Sequence, residues 1–571
     1  MLSPFECLCG NFILPEPASY VFFYAFFNLR NLLYLIKILF NIIKKNKGAV
    51  IALALLTFVS AATSLITPYL SGTFIDILSG QEGTLSVEKC ISGIIISGGV
   101  GIAVGYFYQL ISSKLIVKSI FDYRQELLTH LRRIPFLEYK KFESAYLNER
   151  TRKDIGEIVN FVVSNHINFF LKGLMFVLYT VAIAYLNITL FICILVISPI
   201  YVLIYRHYRG RLYSTSMAAK ETENRFFNIY NEQLEMMEEI RVDSKFGNHD
   251  SYVEKNFVDY FRAFAKNISV ATLFNSVESI ISLLFQAFLL SFGAYSILQG
   301  TLTIGNLTII SSYFGAVIGI INYYVSFGKG YQESRASFDR VQTIMAIEEE
   351  PKGEARPLKI DYILADLTFQ YNNDSFVLKN EKIQVKKGEA FGIFGKNGSG
   401  KTTAVKLLIG LYPTSENGEV TFNGVDINKL DMEYMRGNKI SYVMQNPKMT
   451  KKSVSGLFEE IDCEITYETV CQSFSFLSNS LRELALKTIK EFWLKPFYSM
   501  SEGERQFITI IRALYKNPEI LIMDEPSSSL DSLRQQWLLD LISEIKKDRM
   551  VIIISHDMAL QDVCDKYIFL D

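Results

Sequence analysis

The sequence predicts a multi-domain membrane protein: an all-α domain of six transmembrane helices, then an α/β domain of the phosphate-loop class. Three observations predict it. Apolar stretches of about 20 residues, the length that crosses a bilayer core, recur through the first part of the chain. A glycine-rich loop lies between an apolar strand and a helix at Gly395. Between the two, Glu348-Glu349-Glu350-Pro351-Lys352-Gly353 reads as a linker, after which long apolar runs stop and strands alternate with helices.

The first convincing span runs from Gly48 to Leu70, with Pro68 near its end. The second starts near Cys90 and continues toward Leu115. The third and fourth fill Phe169 to Tyr205, with Asn187 and Thr189 marking the turn between them. The fifth covers Ala271 to Leu298, and the sixth covers Leu307 to Val325 after the turn Gly300 to Gly305. Loop charge sets their orientation. Arg124, Arg132, Arg133, Lys140, Lys141, Arg150, Arg152 and Lys153 follow the second span; Arg206, Arg209, Arg211, Lys220 and Arg225 follow the fourth. Positive residues stay inside, which places both long loops and both termini in the cytoplasm, a bacterial cytoplasmic membrane being the expected location. Ahead of the first span, Asn31 to Lys47 mixes Leu, Ile and Phe with Lys37, Lys44, Lys45 and Lys47, as an interfacial helix does. The aromatic run Tyr20 to Phe27 is part of the same element or an apolar segment too short to span. No basic n-region or small-x-small site marks a cleaved signal peptide. The expected organisation is residues 1–47 as an N-terminal cytoplasmic or interfacial segment, 48–347 as the membrane domain and 348–571 as the globular domain.

Composition agrees. Half of the 571 residues are hydrophobic, 20% are charged and the net charge is −1. Mean hydropathy is +0.20, high for a wholly soluble chain. The charge balance provides no bulk attraction to nucleic acid. Seven cysteines are scattered; Cys7 and Cys9 form a lone C-x-C without the second half of a zinc site, so structural thiols are expected and no disulfide framework.

In the globular half, candidate strands are Tyr362–Tyr371, Ala390–Phe394, Ile440–Met444, Ile520–Met523 and Met550–Ile554. Several are unbroken apolar runs, as buried parallel strands should be. The second leads into Gly395-Lys396-Asn397-Gly398-Ser399-Gly400-Lys401-Thr402-Thr403, the pattern G-x-x-x-x-G-K-[ST]. Glycines let backbone N–H groups converge on phosphate oxygens, and the following helix adds its positive end. Lys401 reaches β- and γ-phosphates, and Thr402 offers a hydroxyl to Mg²⁺. The run Ile520 to Met523 ends in Asp524 and Glu525. Asp524 is placed to support Mg²⁺, and Glu525 to polarise an attacking water as general base.

With these residues in hand, the chain resembles the ATP-binding cassette (ABC) superfamily. Ser501-Glu502-Gly503-Glu504-Arg505-Gln506 resembles its signature, usually L-S-G-G-Q. Gln445 falls where the family has a glutamine that senses Mg²⁺ and contacts the membrane domain. His556 matches the switch histidine that touches the γ-phosphate, Ser528-Ser529-Leu530-Asp531 resembles the D-loop, and Tyr371 matches the aromatic that stacks on adenine. Six spans before one cassette is the layout of an exporter-type half-transporter. Glu239 to Gly247 resembles the family's second cytoplasmic coupling segment, Gly300 to Leu307 the turn between its last two spans, and Glu333 to Arg340 the helix that leads into the linker. The resemblance covers Ile43 to the C-terminus. Three departures accompany it: Glu502 and Glu504 replace glycine and glutamine in the signature; Leu494-Lys495-Pro496-Phe497-Tyr498 stands where many exporters have an acidic-glycine loop; and the sequence ends at Asp571, ahead of the glycine-containing hairpin that commonly follows.

The resemblance implies ATP and Mg²⁺ as cofactors and ATP hydrolysis coupled to transport. It implies two cassettes closing head to tail, so that Ser501, Gly503 and Glu504 of one chain cap the ATP held by the other. A homodimer is favoured because Ser501 and Gly503 are kept; the altered signature also suits a heterodimer. The expected activity is export of an amphipathic small molecule, drug, peptide or lipid, with membrane lipid as surroundings and no nucleic acid as partner. An importer on the exporter fold, taking up metal chelates, and a non-transporting ATP-dependent sensor are the alternatives. Glu278 and Lys172 are charges in otherwise apolar segments and are candidates for contact with cargo. Too few residues precede the first span for a cysteine-protease domain, so a leader-cleaving peptide exporter is not expected.

Overall fold

The computed structural model describes residues 39–570 except 82–84, 372–374, 397, 415–417, 446 and 448–449. The aromatic run Tyr20 to Phe27 and Asn397 therefore lie outside the described residues. Contacts divide the chain into two units. One holds the residues up to Leu128 together with Ser144–Ala346; the other joins Thr129–Glu143 to Ile347–Asp571.

The first unit is entirely helical. Its long members are α1 (Lys47–Leu78) and α2 (Val87–Leu131); the short α3 (Phe136–Lys140) follows and belongs to the second unit. Then come α4 (Ser144–Glu149), a π-turn at Arg150–Asp154, α5 (Ile155–Asn165), α6 (Asn168–Leu186), α7 (Ile188–Glu235), α8 (Met237–Asp243), α9 (Phe246–Leu298) and α10 (Ile304–Met345). Among the described residues, five helical stretches are long and apolar enough to cross a membrane: Lys47–Leu78, Val87–Leu131, Tyr146–Leu186 (which takes in α4 to α6), Phe246–Leu298 and Ile304–Met345. The remaining segment that the sequence assigns to a span, ending at Tyr205, forms the first part of α7. The turn between α6 and α7 is made by Asn187. Its extended backbone (φ −158°) breaks the helix, and its side-chain oxygen accepts from the N–H of Leu190 at 3.1 Å.

Two contacts hold this unit together in ways hydropathy does not reveal. At one end of α10, Thr303 caps the helix by accepting from the N–H of Asn306 (3.0 Å), and Asp76 of α1 accepts from the N–H of Gly305 (2.7 Å) and the hydroxyl of Thr303 (2.8 Å). Gly72 and Gly305 make this approach possible, since a Cβ on Gly305 would collide with the carbonyl oxygen of Gly72. Toward the other end of α10, Asp154 of the π-turn is fully buried. Arg340 donates to both its oxygens (3.0 and 2.6 Å), and Arg150 donates to Oδ2 at 2.6 Å. Beside it, Ser337 donates to Glu157 at 2.6 Å and accepts from Arg340 at 3.1 Å. A buried carboxylate is retained only when its partners satisfy it.

The second unit is α/β. A four-stranded antiparallel sheet has the order β2-β1-β4-β5, from Ser375–Lys386, Tyr362–Tyr371, Glu419–Phe422 and Val425–Asp426. A five-stranded parallel sheet has the order β6-β7-β8-β3-β9, from Ile440–Val443, Ile520–Asp524, Met550–Ser555, Ala390–Gly395 and Lys566–Leu570. Every residue of β7 and β8 is buried, because both faces of the parallel sheet carry hydrophobic cores. Its helices include α11 (Lys401–Leu408), α12 (Asn479–Phe492), α13 (Glu502–Tyr515) and α14 (Ser532–Ile545). Helix α3 joins the same core: Phe136 and Leu137 pack on it, Phe136 stacks on Tyr412, and Lys140 donates to the Tyr412 hydroxyl at 3.1 Å.

The Asp154 cluster makes a direct prediction. Asp154→Ala leaves two guanidinium groups facing each other without their carboxylate, and removing one member of a buried ion pair costs about 3–5 kcal/mol. Thermal unfolding of the purified chain, followed by its helical circular-dichroism signal, should shift to lower temperature; an unchanged transition would refute this role.

Candidate active site

The carboxyl ends of β3, β7 and β8 lie side by side. In register, Phe394 pairs with Ser555 and Asp524 with Ile554. Everything that follows these strands is thereby brought to one edge, where ligands of open parallel sheets bind.

After β3 the chain turns through Gly395 (φ +153°), Gly398 (φ +88°) and Gly400 (φ +93°), with Gly400 as N-cap of α11. Left-handed backbone of this kind favours glycine. At Gly395 a Cβ would also collide with the carbonyl oxygen of Leu570. Lys401 is 7% exposed and folds back over the loop, donating to the carbonyls of Gly395 (2.6 Å) and Lys396 (3.0 Å). The Ser399 hydroxyl is buried with no hydrogen-bond partner among the described residues. A loop with an unsatisfied buried hydroxyl, an ammonium group and a helix N-terminus fits the phosphate groups of a nucleotide. Lys396 and Gly398 are exposed, and Thr403 is buried.

Asp524 ends β7 and is 2% exposed. Its Oδ2 accepts from the Thr402 hydroxyl (3.2 Å) and from the Tyr442 hydroxyl (2.9 Å). Burial raises its pKa above the usual carboxylate value, while these two hydrogen bonds act to lower it. The hydroxyl of Thr402 and the carboxylate of Asp524 are hard oxygen donors, the type that Mg²⁺ takes. The next residue, Glu525, has left-handed backbone (φ +49°), a conformation that costs a non-glycine residue about 1–3 kcal/mol and clusters at functional sites. It is 4% exposed. Its Oε2 accepts from the Ser555 hydroxyl (3.2 Å) and the His556 N–H (3.3 Å), and pairs with the His556 ring at 2.8 Å. The His556 ring itself is largely exposed, so the pair presents one buried carboxylate and one accessible imidazole. Gln445, just beyond β6, is exposed.

The signature segment is a separate construction. Ser501 is the N-cap of α13, and its hydroxyl accepts from the N–H of Glu504 (3.3 Å) while Glu504 accepts from the N–H of Ser501 (2.9 Å). Glu504 thus closes a capping box, and Lys495 lies 3.7 Å from its carboxylate. Burial acts to raise the Glu504 pKa, but the Ser501 N–H, Lys495 and Arg534 bring it below the ordinary value. Glu502 is exposed on the first turn. Gly503 is required by packing: a Cβ there would run into the carbonyl oxygen of Ser529. Asp531 caps α14, accepting from the N–H of Arg534 at 2.8 Å. Tyr371 ends β1, paired with Ser375.

The structure therefore joins Thr402, Asp524, Glu525 and His556 in one cluster beside the loop of Lys401. No hydrogen bond among the described residues ties Ser501, Gly503 or Glu504 to that cluster. Sequence reasoning missed Tyr442 and Ser555. Tyr442 reads as one more core aromatic in an apolar strand; Ser555 could have been flagged as a lone hydroxyl closing an apolar run.

Two family models match: the ABC transporter model over residues 378–528 and the ABC transporter transmembrane region model over residues 50–321. The chain is 22% identical, over 93% of its own length and 74% of the relative's, to the lactococcin-A transport/processing ATP-binding protein of Lactococcus lactis subsp. lactis. It is 27% identical, over 62% of its length and 61% of the relative's, to a probable multidrug resistance ABC transporter ATP-binding/permease protein of Bacillus subtilis (strain 168). Its fold is similar to that of a bacterial Atm1-family ABC exporter solved with ATP bound, with a TM-score of 0.78 and 16% identity over 92% of this chain and 94% of that one.

The packing at Gly503 is testable. Gly503→Ala drives a methyl group into backbone that cannot rotate away, and overpacking of this kind costs about 1–3 kcal/mol. Fluorescence of Trp493 and Trp537 should report unfolding of this unit at lower temperature; equal midpoints for variant and wild type would refute the tight fit.

Proposed function

The chain belongs to the ABC transporter superfamily as an exporter-type half-transporter that hydrolyses ATP, and on that premise we propose that it works as a dimer with alternating access, exporting an amphipathic drug or peptide. The observation that carries this reading is the cluster of Thr402, Asp524, Glu525 and His556 at the sheet edge beside the Lys401 loop, in a chain with several membrane-length helices.

In this proposal ATP enters the loop 395–403. Lys401 exchanges its two carbonyl partners for phosphate oxygens, and Ser399 and the loop N–H groups gain acceptors. Thr402, Asp524 and Gln445 would hold Mg²⁺, which supplies neutralisation of phosphate charge. Glu525 takes the proton of the attacking water as general base, and His556, already in contact with it, orients that carboxylate and reaches the γ-phosphate. Tyr371 stacks on the adenine. The signature residues Ser501, Gly503 and Glu504, together with Asp531, serve the ATP of the other chain, which agrees with their lack of hydrogen bonds to this chain's own cluster among the described residues. A second copy of this chain is the partner we favour, because Ser501 keeps its cap position and Gly503 its close approach to Ser529. The tip around α8 supports pairing: Val242 is 79% exposed and Phe246 52%, apolar groups suited to covering by a second chain. Along the chain, residues 48–347 form the membrane domain, apart from Thr129–Glu143, which fold with the cassette of residues 348–571; both termini lie in the cytoplasm of a bacterial cell.

Peptide or drug cargo is favoured by the transport of lactococcin-A and the multidrug resistance stated for two relatives. Glu278 is the membrane-domain residue we assign to a cationic group on that cargo: its Oε1 is buried without a hydrogen-bond partner among the described residues.

Two outcomes test the proposal. Glu525→Gln should lower hydrolysis by about 10²–10⁴-fold, the usual contribution of a general base, while retaining ATP binding; turnover at the wild-type rate would remove Glu525 from the role. The purified chain alone should hydrolyse ATP, and inverted vesicles containing it should take up a cationic dye or peptide only when ATP is supplied. No ATPase without a second gene product would overturn the homodimer, and ATP-driven loss of cargo from such vesicles would overturn export.

A further inference from the structure

Tyr442 lies in β6, next to β7, and its ring is half-buried. Its hydroxyl donates to Asp524 Oδ2 at 2.9 Å, and the Thr402 hydroxyl donates to the same oxygen at 3.2 Å. Oδ1 of Asp524 accepts no hydrogen bond among the described residues. The carboxylate is 2% exposed, so water contributes little to its charge, and hydroxyl donors must do so instead. The two donors differ in what nucleotide binding asks of them. Thr402 follows Lys401 in the phosphate loop and is itself a metal ligand in the reading above. Tyr442 has no place in the loop; it is fixed by the parallel ladder, in which it pairs with Ile522 of β7, two residues before Asp524.

We propose that Tyr442 is a positioning residue for the metal: it holds Asp524 Oδ2 from the neighbouring strand, orienting the carboxylate so that Oδ1 is left for Mg²⁺ or its water. This rests on the reading that the site binds Mg²⁺ with ATP. Donors behind a metal-binding carboxylate fix its rotamer, and their loss usually weakens metal affinity by about 10–100-fold. In this role the residue acts through Asp524 and is not itself a metal ligand.

The test is Tyr442→Phe, which keeps the ring and removes one oxygen, in the full-length chain carrying Glu525→Gln to prevent turnover. Mn²⁺ serves as the probe, titrated at saturating ATP and followed by its paramagnetic resonance signal; ATP binding in EDTA is measured in parallel. The expected result is a rise of about 10–100-fold in the Mn²⁺ concentration at half-saturation, with metal-free ATP binding unchanged. In the otherwise wild-type chain, Tyr442→Phe should raise the Mg²⁺ requirement of the ATPase and leave the rate at saturating Mg²⁺ nearly intact. Superimposable metal curves would overturn the proposal, as would a parallel loss of metal-free ATP binding, which would mark Tyr442 as a packing residue. A Lys401→Ala chain distinguishes the two levels: if it binds ATP as well as wild type does, the nucleotide reading of the loop fails, and the Tyr442 proposal fails with it.

Discussion

The cassette depends on one constraint: a parallel sheet buried on both faces has polar chemistry only at its ends. Strands β7 and β8 are buried at every position. Their apolar side chains lock the register, and the register decides which residues meet beyond the last rung. Asp524, Glu525, Ser555 and His556 come together because Asp524 pairs with Ile554 while Phe394, one residue before the phosphate loop, pairs with Ser555. A slip of one residue in β7 would turn Asp524 away from Thr402 and Tyr442 and leave a carboxylate buried without donors. The hydrophobic effect thus sets the geometry of a charged site it does not touch.

Much of this edge was legible in the sequence because its residues are contiguous with strands that announce themselves. The strand Tyr362–Tyr371 has the same limits in the structure as in the sequence reading, and the others differ by one residue at an end. The strands β2, β4, β5 and β9 were not read: β5 has two residues, and the sequence Lys-Tyr-Ile-Phe-Leu of β9 is too short to be told from a helix turn. In the membrane unit, hydropathy found the apolar part of each helix but not its length. Helix α2 extends from Val87 to Leu131, beyond the apolar stretch that ends near Leu115, because a helix continued into water carries polar side chains and loses the signal. The turn at Asn187 was legible because an amide there caps the next helix.

Asp154 and Tyr442 were illegible for opposite reasons. A charge between Lys153 and Ile155 reads as solvated surface, yet Asp154 is fully buried, since its two arginine partners lie at separations of four and 186 residues. An aromatic residue in an apolar strand reads as core, yet the hydroxyl of Tyr442 is the part that matters to the site. Glu504 is a third case: a departure from the usual signature becomes intelligible once it is seen to complete a capping box with Ser501. Side-chain pairing across strands and helices is a property of the folded register, and composition along the chain does not carry it.

Helix α3 carries a consequence for how such a protein can be divided. The transmembrane family model spans residues 50–321 and so includes Phe136 and Leu137, but in space these side chains complete the hydrophobic core around Tyr412 and Phe369. The cut that separates the modules along the chain is not the cut that separates them in three dimensions. A cassette made by itself from the linker onward would present the bare face of Tyr412 to water, together with the apolar surface that Phe136 and Leu137 cover. Exchange of cassettes between relatives would meet the same limit: the donor module and the segment that carries α3 would have to be swapped as one inheritable unit.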